Sequence, residues 1–172
     1  MTEEKFNDIK ESYVEHLKEV MIEEGFLPPL ITVIGSEKET KHNSIIHILV
    51  PAEYMVSDEK KEEFIEDLLP NASKEVRERF DIEATIWSAE CWMTIADKNL
   101  KPTEEKQEAI IINIESETKN QTLVYNIERI GMEFVKDKGL VDKIELKEFI
   151  NDYDLPSDGR FTGLFKKIKN DV

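Results

Sequence analysis

The chain holds a single cysteine, Cys91, among 172 residues, so no internal disulfide can form and a reducing compartment is its expected setting. Glycine is also scarce. Six glycines leave little material for the backbone cradles that hold nucleotide phosphates, and neither a glycine-rich phosphate loop nor a Gly-x-Ser-x-Gly elbow occurs. His-Glu-x-x-His and the Asp-x-Asp-x-Asp-Gly calcium loop are missing too. Of the three histidines, His42 and His47 lie five apart, a spacing that matches no zinc pattern. No apolar run approaches the roughly 20 residues that a membrane-spanning helix needs. The opening stretch MTEEKFNDIK lacks the apolar core of a secretory signal. These absences predict a cytoplasmic protein without metal, cofactor or membrane partner, and they weigh against enzymatic activity without deciding it.

Basic side chains are the minority charge. Lysine and arginine total 23 against 38 acids, a net charge of −15. Such a surface repels nucleic-acid phosphates and anionic lipid. It leaves three uses for the acids: solubility, docking on a basic protein, or mimicry of DNA.

What the chain does contain is a patterned core. Hydrophobic residues make up 40% and charged residues 35%, enough for one domain with a heavily charged surface. Phe6, Ile9, Tyr13, Leu17, Val20 and Met21 recur at helical spacing over residues 2–24, and Gly25 and Pro28-Pro29 end that helix. Thr2 followed by Lys5 makes no capping box. Strands are expected at 30–36 and 44–51, joined as a hairpin, then at 82–96, 108–116 and 121–130. Ser57 is placed to cap a helix whose inner face is Phe64, Ile65, Leu68 and Leu69; Pro70-Asn71 interrupts it and Ser73 caps a continuation. Residues 142–153, DKIELKEFINDY, fit a short helix with Leu146, Phe149 and Ile150 inward. This order predicts an α+β fold: a largely antiparallel sheet of about five strands, covered on one face by two helices. Its other face also needs partial cover. Residues 1–131 are expected to form the core domain, and 132–172 a helical C-terminal extension packed on it.

The segment IWSAECWMTIAD, 86–97, carries both tryptophans and the cysteine. Alternation along a strand puts Ile86, Ser88, Glu90 and Trp92 on one face and Trp87, Ala89, Cys91 and Met93 on the other. Both faces are largely apolar, which marks a central strand. Glu90 and Cys91 therefore cannot form one regular catalytic pair unless a bulge intervenes. Cys91 has no adjacent base and reads as packing. Glu90, beside an indole on a covered face, needs neutralising, and His47, Arg129 and Lys106 are the candidate partners. Glu90 and His47 are accordingly the catalytic or ligand-binding candidates, with His47 also readable as a satisfied strand histidine. Residues 160–169 form a basic amphipathic segment without acids. Arg160, Phe161, Phe165, Lys166 and Lys167 there could bind a partner, or the segment could dock on its own sheet, which Gly163 favours by weakening a free helix.

The strand ending SAECWM, the KQEAIII strand and the late GRFTGLF, spread over residues 24–168, resemble a loose pattern among uncharacterised proteins of tailed phages and their bacterial hosts. That resemblance implies a small intracellular phage-type protein, in host cytoplasm if viral, and carries over no site residue. The expected function is non-enzymatic protein–protein interaction, as a phage accessory or host-modulating factor, with self-association left open. The alternatives are an enzyme or small-ligand binder built around Glu90, and a virion or assembly component.

Overall fold

The computed structural model describes residues 1–96, 102–149, 161 and 163–170. Thr2 sits at the head of α1 (Glu3–Glu24), where its hydroxyl accepts the Lys5 N–H. It thus caps the helix without the reciprocal acid of a capping box. Gly25 ends the helix in a left-handed conformation and donates its N–H to the Met21 carbonyl. The hairpin β1 (Leu30–Glu37) and β2 (Asn43–Leu49) follows. Ser57 then caps α2 (Asp58–Glu63) by accepting the Lys60 N–H.

The helix does not stop at Pro70. A wide π turn, Phe64–Leu68, leads into α3 (Leu69–Arg79). Proline lacks the N–H that a regular helix would use there, and the widened turn just before it absorbs the mismatch. Ser73 consequently lies inside α3, where its hydroxyl donates to the Leu69 carbonyl rather than capping a new helix. After α3 come β3 (Phe80–Ala96), β4 (Pro102–Ser116), β5 (Asn120–Val135) and β6 (Gly139–Glu148), and finally α4 (Leu164–Lys169).

The fold is α+β, built on one six-stranded sheet in the order β2-β1-β3-β4-β5-β6 with every neighbouring pair antiparallel. The sixth strand replaces the helix expected over 142–153. Ile144 is buried and Leu146 half-buried on one face, while Glu145 and Lys147 point away, a period of two. Phe149, expected inward, is exposed, and its N–H extends the ladder to the Val124 carbonyl. Ile150 lies outside the described residues. β5 also runs straight through residue 131, so residues 132–148 belong to the sheet and not to a helical extension. Of the expected helical extension, α4 is the part that forms among the described residues.

The helices take opposite faces of the sheet instead of sharing one. α1 lays Phe6, Tyr13, Val14, Leu17 and Met21 on Ile86, Ile110, Ile112 and Ile114. On the other side Phe64, Ile65, Leu69 and Val76 join Ile31, Val33, Trp87 and Ala89, with Phe161, Leu164, Phe165 and Ile168 from the C-terminal segment. The cause is β3, whose two alternating sets are both apolar, so each face must be removed from water.

The β1–β3 register shifts between Ile34 and Gly35, where Glu83 of β3 is the extra, unpaired residue of a bulge. There a Cβ on Gly35 would lie 2.4 Å from the Asp81 carbonyl oxygen, so the close approach requires glycine. No helix among the described residues is long and apolar enough to cross a membrane.

Candidate functional site

Glu90 and Cys91 do point to opposite faces, since Glu90 pairs with the core residue Ile110 and Cys91 with Ala109. Cys91 is half-buried rather than sealed. Burial, with Glu90 adding to it, pushes its thiol pKa up, which disfavours the thiolate.

The partner of Glu90 is none of the three side chains expected. One carboxylate oxygen accepts the backbone N–H of Leu27, tying the segment after α1 to the middle of β3. Arg129 is nearby but committed elsewhere: it grips Glu108 with Nε and Nη2 (3.0 and 2.8 Å) and Asp142 with Nη1 (2.9 Å). Burial raises the pKa of Glu90; the Leu27 N–H opposes the rise, Glu108 adds to it, and Arg129 opposes it. A carboxyl with a raised folded pKa contributes stability that is present below the ordinary carboxylate range and lost as pH rises through the folded value. Glu90→Gln keeps an oxygen for the Leu27 N–H and removes the charge. It is therefore expected to melt at or above the wild-type temperature at pH 7, with the advantage gone below about pH 4. Melting curves at the two pH values test this, and a larger advantage at the acid end would contradict it.

His47 lies elsewhere. It pairs with Thr32, which pairs in turn with Ile86, so Glu90 is two strands over and four positions along. The two candidates do not form one site. His47 Nδ1 meets the Thr32 hydroxyl at 3.0 Å, the Tyr13 phenol meets that hydroxyl at 3.3 Å, and Ser88 meets the phenol at 2.8 Å. Thr32 and Ser88 are fully buried. Burial lowers the His47 pKa and the neighbouring His16 lowers it further, while burial raises that of Tyr13. The relay ends at a half-open groove of about 570 Å³ between α1 and β2, floored by Ile34, Ile45 and His47. Sequence reading missed this relay, although Thr32 and Ser88 are the polar interruptions of two apolar strands and could have signalled it.

The C-terminal segment is docked. Phe161 stacks on Trp87 with ring centroids 3.9 Å apart and planes 10° apart. The Glu115 carboxylate, itself buried, accepts the N–H groups of Gly163 (2.7 Å) and Phe165 (2.9 Å) and the Asn113 amide (2.8 Å). Phe161 and Phe165 thus face the protein's own core and offer no surface to a partner. Lys166 stays exposed, and Lys167 pairs with Glu66 at 2.8 Å. Arg160 lies outside the described residues.

A further feature is the hairpin arm of residues 130–143. Past Arg129 a bulge shifts the β5–β6 register, and beyond it, among the described residues, these two strands pair only with each other. Phe134 lies opposite Leu140, and Met132 opposite Asp142, on the face that α1 covers further back. Met132, Phe134 and Leu140 are 63%, 75% and 66% exposed. Lys138 at the tip bonds the Glu23 carbonyl and Glu24. The sequence signal was present in Gly131 and in the alternation that follows it.

Among the described residues, no group of three or more His, Cys, Asp or Glu side chains is placed to hold a metal ion. No protein-family model, no curated protein and no solved structure matches the chain.

Proposed function

We propose that the chain is a non-enzymatic binding protein that engages a protein partner through the hairpin arm of residues 130–143. The observation that carries this is a two-stranded ribbon presenting Met132, Phe134 and Leu140 to water on one face. A ribbon of two strands is marginal in water by itself, and contiguous exposed apolar side chains mark contact surfaces. Charge supports the same use. The arm balances Glu133, Asp137 and Asp142 against Lys136, Lys138 and Lys143, whereas the whole chain carries −15. A partner can therefore close on the arm without local repulsion. The field of the remaining molecule favours one with a basic rim over a second copy, which brings −15 of its own. A role as a phage accessory or host-modulating factor belongs to the same proposal and rests on the sequence resemblance.

The tagged full chain should retain one stoichiometric protein from a bacterial lysate at moderate salt, and stay monomeric by light scattering. No retained partner across several hosts and salt conditions would overturn the reading. A dimer in light scattering would overturn it too, by making the arm a self-interface.

A further inference from the structure

The groove between α1 and β2 is apolar along its length and polar at its two ends. Ile9 from the helix and Ile34 and Ile45 from the sheet make its apolar surface, and His16 and His47 stand together at one end. Its volume of about 570 Å³ is that of a small-molecule site. The floor is pre-organised: the relay through Thr32, Tyr13 and Ser88 fixes the His47 ring by Nδ1 and leaves Nε2 on the far side of the ring. Burial, and then the neighbouring His16, disfavour the charged form of His47, and an anion placed beside both rings would offset that cost for His47. The acid lining the groove, Asp8, is eight residues before His16, or about 12 Å along the helix, and so lies at the opposite end. Lys5, at that same far end, is already paired with Glu83 at 2.5 Å.

We propose that this groove binds a medium-chain carboxylate, with its tail on Ile9, Ile34 and Ile45 and its carboxylate between His16 and His47. The distance from His16 back to Ile9, seven residues or about 10 Å, sets the tail length and makes octanoate a suitable probe. This site is independent of the arm, so its fate does not decide the partner proposal.

Calorimetry on the full chain with octanoate, octan-1-ol and octylamine tests it. Octanoate should bind saturably, one molecule per chain, and about tenfold or more tighter than either analogue, since a hydrogen bond to a charged group is at stake. Ile45→Asp should abolish binding. Ile45 is 63% exposed, so this variant should keep its fold. His16→Ala and His47→Ala should each weaken octanoate about tenfold; His16 is exposed and serves if loss of His47 disturbs the relay. Absence of saturable octanoate binding, equal binding of octylamine, or unchanged binding by Ile45→Asp would each overturn the proposal.

Discussion

Glu115→Ala is expected to cost about 3–5 kcal/mol of stability, or roughly 10 °C in melting temperature for a chain of this size. The carboxylate is the acceptor for the Gly163 and Phe165 N–H groups and for the Asn113 amide, all at the junction of β4 and the C-terminal segment. Alanine would leave these donors without an acceptor in a buried position, at about 1–3 kcal/mol each. Glu115→Gln, which retains one oxygen, should cost less. The stack of Phe161 on Trp87 reports the same event, because releasing the segment exposes an indole that is now buried. Urea titration followed by tryptophan emission measures both effects. Two outcomes are compatible with the clamp: global destabilisation, or an early transition in which Trp87 is exposed before the sheet melts. A variant with wild-type stability and an unshifted indole would show that Glu115 does not hold the segment.

Much of the fold was legible because local rules decide it. The helical spacing of α1, its stop at Gly25, the Ser57 cap and the two-faced pattern of β3 depend on neighbours a few residues away, and all four appear as read. What escaped depends on the rest of the molecule. Residues 142–149 fit a helix through Leu146 and Phe149 and a strand through Ile144 and Leu146; the free edge of β5 settled the matter. Likewise α1 and α3 each show an apolar face, but nothing in either sequence says which side of the sheet it meets. Glu90 is the clearest case. Its burial calls for a charged partner side chain, yet the group that meets it is a backbone N–H, which any residue at position 27 other than proline would supply. His47 read as a satisfied strand histidine, and it does bond Thr32. The groove beside it is lined by residues of α1, β1 and β2 together, a tertiary arrangement that none of the three segments specifies alone.

The largest functional effect should come from Phe134→Asp. Phe134 pairs with Leu140 on an arm that contacts α1 through Lys138, and its ring is three-quarters exposed. The substitution therefore removes little from the fold, within about 0.5 kcal/mol. At a partner interface the same change deletes an aromatic anchor and desolvates a carboxylate, an effect on the order of 100-fold or more in affinity. The decisive measurement is the dissociation constant of the retained partner for the wild-type chain and for Phe134→Asp, with both melting curves in hand. Protein binding through the arm requires a loss of at least about 100-fold at unchanged melting temperature. Equal affinities for two equally stable chains would contradict it and place the contact elsewhere on the surface.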